Sequence, residues 1–125
     1  MSNLFSNLDT FTPGELIAGN NVPILVKAVT LQANQGVVKR GTVLGIITAS
    51  GLAVPVNSAN SDGSQNADCI LADDVDTTGG NVVAETYRSG HFNRKALIFG
   101  GDDTAADHED RLRELGIFLS DNIAY

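Results

Sequence analysis

Basic side chains are scarce in this chain: eight Lys and Arg stand against fifteen Asp and Glu in 125 residues, a net charge of -7. An acidic surface of that kind repels phosphate backbones and anionic lipid, so nucleic acid and membrane are set aside as partners. Cysteine occurs once, at Cys69, which rules out an internal disulfide and fits assembly in a reducing compartment. No basic segment leads into an apolar run of signal-peptide length, and no span is long enough to cross a bilayer, so the chain reads as a cytosolic product. Tryptophan is absent and aromatics are few, whereas glycine occurs 13 times. That balance predicts short strands and many turns rather than large helices. At 13.1 kDa the chain fits one domain, which buries roughly two thirds of its unfolded surface and gains from association.

The first 22 residues are rich in Ser, Asn, Asp, Thr and Gly, with Leu4, Phe5, Leu8 and Phe11 set among them before Thr12-Pro13-Gly14. A polar terminal segment does not hold itself folded, and its spaced apolar residues gain only from a surface that receives them. That surface is either another protein or the chain's own core. Ile24 to Leu31 is apolar and β-branched, as a largely buried strand would be. Val37 to Thr48 predicts two short strands around Gly41, and Leu52 to Val56 predicts a strand that Pro55 assigns to a sheet edge. Residues 57 to 68 form the most polar stretch and read as a surface loop. Cys69 to Ala72 then returns inward, and Val82 to Arg88 and Phe92 to Phe99 read as two strands joined through Ser89-Gly90. Near the C-terminus the apolar period changes to 3.6: Ala105, His108, Leu112 and Leu115 share one helical face. Thr104 is suited to the N-cap and Gly116 to the C-terminal stop, which predicts a helix from about 104 to 115, followed by a short strand at Ile117 to Leu119.

Few groups are arranged for chemistry. Cys69 with His91 or His108 would be a thiol and its base, but Cys69 lies inside an apolar strand beside Ile70 and Leu71, where a lone cysteine is a small buried hydrophobe. Asp102, Asp103, Asp107, His108 and Asp110 lack the order of a calcium loop and the paired spacing of a zinc site. Acidic residues at a helix start already have a cause in the helix dipole. Asp73, Asp74 and Asp76 read as a solvated turn, and the pairs Gly79-Gly80 and Gly100-Gly101 fit no phosphate-binding loop. No catalytic residue, metal ligand, cofactor site or small-molecule substrate is assigned.

Two stretches stand out: Asp62-Gly63-Ser64 followed by Ala67-Asp68-Cys69-Ile70-Leu71-Ala72-Asp73-Asp74, and Tyr87-Arg88-Ser89-Gly90-His91-Phe92 leading into a hydrophobic segment. A polar D-G-[ST] turn, an A-x-x-I-L-A-x-D strand, an aromatic residue and then S-G-x-F, in that order, resembles the lambda-type head decoration proteins of tailed bacteriophages. The resemblance is strong over the C-terminal half and rests on layout in the N-terminal half. It implies a mainly β, β-clip-like single domain with one short C-terminal α-helix and a flexible N-terminal arm, divided as an arm over 1–22 and a decoration domain over 23–125. It further implies a non-enzymatic cementing protein, a homotrimer that binds the major capsid protein on the exterior of the expanded head and stabilises it against the pressure of packaged DNA. Before assembly the protein would reside in the host cytoplasm. The arm, with Leu4, Phe5, Leu8, Phe11, Thr12 and Pro13, would be the part that docks on the capsid by adding to one of its strands.

The competing reading is a small cytosolic β-barrel enzyme or a carrier module. Gly36 to Ile46 is similar to the G-x-V-x-x-G-x-x-L-x-x-I corner of biotinyl and lipoyl domains. Those domains load their cofactor on a lysine in the following hairpin. Lys27 precedes the corner and Lys95 lies far beyond it, so the similarity reads as a shared β-corner.

Overall fold

The computed structural model describes residues 16–19 and 22–120. Among them the chain is mainly β with a C-terminal helix, as the sequence predicts. In order, the elements are β1 (Ile17–Gly19), β2 (Leu25–Leu31), β3 (Val37–Val38), β4 (Val43–Ile46), β5 (Leu52–Pro55), β6 (Ala67–Leu71), β7 (Val75–Asp76), β8 (Val82–Asn93), a 3-10 turn (Arg94–Ala96), α1 (Ala105–Leu115) and β9 (Ile117–Ser120).

Five strands close on themselves. β2 pairs with β5, β5 with β4, β4 with β6, β6 with β8, and β8 returns to β2, which makes a small barrel. Closure leaves few backbone groups unspent. Strand β8 is too long for the barrel, and its end from Gly90 to Asn93 runs beyond it, flanked by β1 antiparallel and β9 parallel. β3 and β7 form a separate two-stranded cap, tied by Thr77, whose Oγ1 donates to Gly36 O at 2.8 Å and accepts from Gln35 N at 2.9 Å.

Alternation along the strands sorts the apolar side chains into two cores. Leu31, Leu44, Ala53, Cys69, Leu71 and Ala84 fill one with Val38. Val43, Val56, Ala67 and Ile70 meet Leu16, Phe92, Leu112 and Ile117 in the other, on the side closed by α1. A bulge between Leu44 and Gly45 in the β4–β6 register brings Ala67 onto the helix side. The helix begins where Thr104 N donates to Asp107 Oδ2 at 2.8 Å and ends at Gly116, in the left-handed conformation at φ 95 with its N–H bonded to Arg113 O at 3.1 Å. Its buried side chains are His108 and Leu112, two of the four that the helical period marks.

Several local expectations change. Ile24 to Val26 are exposed rather than buried, because β5 reaches only Thr30 and Leu31 of β2 and, among the described residues, nothing covers either face at the start of that strand. β5 is no edge: it pairs on both sides, and Pro55 is accommodated because its partnership with β2 ends at Ala53. The two strands expected around Ser89-Gly90 are one strand, since Gly90 stays paired with Ile117 of β9, and the chain turns only at Arg94. Within the polar loop of 57–68, Ser64 is fully buried. Of the stretch assigned to the arm, Leu16 lies in the core and Ile17 to Gly19 form β1 on β8.

Candidate interaction surfaces

The motif residues prove to be architectural. In Asp62-Gly63-Ser64 the carboxylate Oδ1 of Asp62 accepts from Ser64 N at 3.0 Å and from Ser64 Oγ at 2.5 Å, while Asn60 Nδ2 donates to Ser64 Oγ at 2.9 Å. These bonds hold the Asp62 carboxyl below the usual carboxylate value, chiefly the one from the Ser64 hydroxyl. Gly63 has φ 108, and a side chain there would collide with Thr48 Oγ1. The turn thus needs a small acceptor, a glycine and a hydroxyl in that order.

The A-x-x-I-L-A-x-D segment is β6 and its exit. Asp74 Oδ1 accepts from Arg40 N at 2.6 Å and Ala72 O accepts from Arg40 Nε at 3.1 Å, which pins the Lys39-Arg40-Gly41 corner to the strand. In the S-G-x-F segment, Ser89 Oγ donates to Pro23 O at 2.7 Å and accepts from Leu25 N at 3.2 Å. Gly90 takes φ 145, and a Cβ would stand 2.9 Å from the Phe92 ring. Phe92 itself is fully buried, with the Tyr87 ring 5.5 Å away.

The groups considered for chemistry have structural partners. Cys69 is fully buried, and burial pushes its thiol up to about 12, so no thiolate is populated at neutral pH. A hydrogen bond to Thr86 acts against that shift without offsetting it. His91 Nε2 lies 3.1 Å from Ser120 Oγ. His108 Nε2 lies 2.7 Å from Asp103 Oδ2, and its ring stacks on Phe99 at 5.6 Å. Asp103 also accepts from Ser58 N at 2.6 Å and Ser58 Oγ at 2.7 Å, so it latches the 57–60 loop to the start of the helix. The hydrogen bond from His108 is the main cause that holds the Asp103 carboxyl below its ordinary value. Buried Asp68 Oδ2 is met by Lys27 Nζ at 2.6 Å as a charge contact rather than a well-angled hydrogen bond. Among the described residues, no three His, Cys, Asp or Glu side chains are grouped to hold a metal ion, and no helix is long and apolar enough to cross a membrane.

What remains on the outside is apolar surface. Leu25 is 50% exposed, Val26 51%, Val83 69% and Phe118 39%. Ile24, Val37 and Ile98 are exposed as well. Ile24 to Val26 were legible only as a strand, since an unbroken apolar run looks the same whether or not anything covers it. Phe118 and Val83 carry no local signal of exposure, since each stands between apolar neighbours, Ile117 and Leu119 for the one and Val82 and Ala84 for the other. The arm residues Leu4, Phe5, Leu8, Phe11, Thr12 and Pro13 lie outside the described residues.

A family model described as bacteriophage lambda head decoration protein D matches residues 9–117, most of the chain. No individual curated protein matches it.

Proposed function

This chain belongs to the bacteriophage lambda head decoration protein D family and is a structural component that decorates a phage head, and on that premise we propose that it acts as a trimeric cement for the shell. Three copies bind the major capsid protein on the exterior of the expanded head, bridge neighbouring subunits and stabilise them against the pressure of packaged DNA. Before assembly the protein waits in the host cytoplasm.

The distribution of apolar side chains supports this reading most directly. The family motifs are spent inside the domain, whereas Leu25, Val26 and Phe118 remain outside a small acidic domain, where contact with other protein would cover them. Residues 1 to about 14 serve as the capsid-binding arm, with Leu4, Phe5, Leu8 and Phe11 as apolar anchors beside Thr12 and Pro13. The arm is tethered at a fixed point, because Leu16 is buried and its carbonyl accepts from Asn93 N at 2.7 Å. From there an extended segment of fourteen residues reaches up to about 50 Å, enough to lie along a capsid strand.

Two measurements test the reading. Purified virions should contain the protein in stoichiometric amounts with the major capsid protein, and sedimentation equilibrium should give about 39 kDa, three times the 13.1 kDa chain. Virions that lack the protein would refute the cementing role. A monomer at micromolar concentration would refute the trimer.

A further inference from the structure

We propose that the trimer, on the reading above, is built by two unlike strand edges pairing head to tail, the first half of β2 on one copy against β9 on the next. β5 reaches only Thr30 and Leu31 of β2, so among the described residues Leu25 to Val29 pair with β8 alone. Among the described residues no strand pairs with the other side of that half-strand, which leaves an edge with main-chain donors and acceptors for a partner. Successive strand residues point to opposite faces, and yet Leu25 and Val26 are both about half exposed, so neither face is covered here by the described residues. A partner arriving along the edge covers both faces at once, whereas one that lies on a single face leaves the other wet.

The chain carries a second open edge of matching character. β9 pairs with β8 alone among the described residues, and it exposes Phe118. A cyclic trimer needs two different patches that fit each other, because a patch that fits itself gives a two-fold dimer. The charges agree in sign. Arg88 is exposed at the bulge opposite Leu25 and Val26, with no ion pair among the described residues. Glu114, 71% exposed on the helical turn that leads into β9, is approached by Arg111 only at 4.0 Å. A basic group one strand in from one edge and an acidic group on the turn that leads into the other attract when the edges meet.

Sedimentation velocity on the full chain and on Val26→Asp, Phe118→Asp and Val83→Asp, each checked by circular dichroism, tests the pairing. The wild type and Val83→Asp should be trimers. Val26→Asp and Phe118→Asp should be folded monomers, with self-association weakened by roughly tenfold or more. An equimolar mixture of these two should regain a cross-linkable dimer, because one supplies an intact β9 and the other an intact β2. If Phe118→Asp loses its fold, the exchange Arg88→Glu with Glu114→Arg decides instead: each alone should weaken the trimer and the two together should restore it. Trimers in both edge variants, or a mixture that stays monomeric, overturn the edge pairing and leave the trimer standing. Failure of the charge exchange to restore association does the same. A monomeric wild type overturns both.

Discussion

Strand β6 and the first half of β2 are similarly apolar, but the molecule treats them in opposite ways. In β6, Ala67, Cys69, Ile70 and Leu71 are all fully buried. The strand is sandwiched: Cys69 and Leu71 face one core, while Ala67 and Ile70 face the core that α1 closes. At the start of β2 neither face is covered by the described residues, so Leu25 and Val26 stand in solvent. The difference lies in what the rest of the chain lays over each strand. α1 is held on its side by Arg111, whose Nε donates to Ala67 O at 3.2 Å, by the Arg94–Glu109 ion pair and by the Asp103 latch to Ser58. No comparable element covers the start of β2 among the described residues. An apolar strand with a cover supports the fold, and one without a cover is available to another protein.

If that contrast is right, damage to the covered side unfolds the protein and damage to the open side does not. The largest loss should come from Leu112→Ala, which removes the fully buried helix side chain above β6 and should cost about 2–5 kcal/mol in urea melts. Cys69→Ala should cost less, about 1–2 kcal/mol, with capsid binding kept, because its role is packing and its thiol is un-ionised. A Cys69→Ala protein that folds normally but no longer binds capsids would break the structural reading of this residue.

The latch sharpens the comparison through pH. Asp103, like Asp62 and Asp76, is held below the ordinary carboxylate value in the folded chain by hydrogen bonds, from His108, Ser64 and Thr78 respectively. The unfolded chain therefore takes up these protons first as pH falls. Their contribution is complete above the unfolded value of about 4 and is lost as pH drops through the lower folded values. Urea melts repeated from about pH 6 to about pH 2 should show stability falling over the acid end of that range, with a shallower fall in Asp103→Asn. An equally steep fall in Asp103→Asn would remove the latch from the account. The smallest effect should be that of Val83→Asp on the outer surface of β8, under about 1 kcal/mol, because that side chain is 69% exposed already.

Much of the covered region was legible in the sequence because its signals are local. The 3.6 period, Thr104 and Gly116 give the helix, and the D-G-S turn is set by bonds that span four residues. The open region was not legible. Whether Ile24 to Val26 are covered depends on β5 ending at two β2 residues and on α1 lying elsewhere, neither of which is encoded near residue 24. The unbroken β8 was missed for a related reason: Ser89-Gly90 has turn chemistry, but pairing with β9, 27 residues away in sequence at Ile117, keeps it in the ladder. Pro55 misled because its missing N–H matters only where a second neighbour is present, and β2 has already left.

The central claim is that the folded domain and the capsid-binding arm are separable, with the division just before the buried Leu16. Co-sedimentation of the full chain and of a form lacking residues 1–14 with expanded capsids tests it most directly. The truncated protein should keep its circular dichroism and its oligomeric state while failing to co-sediment. Full binding by the truncated form, or loss of its fold, would contradict the account.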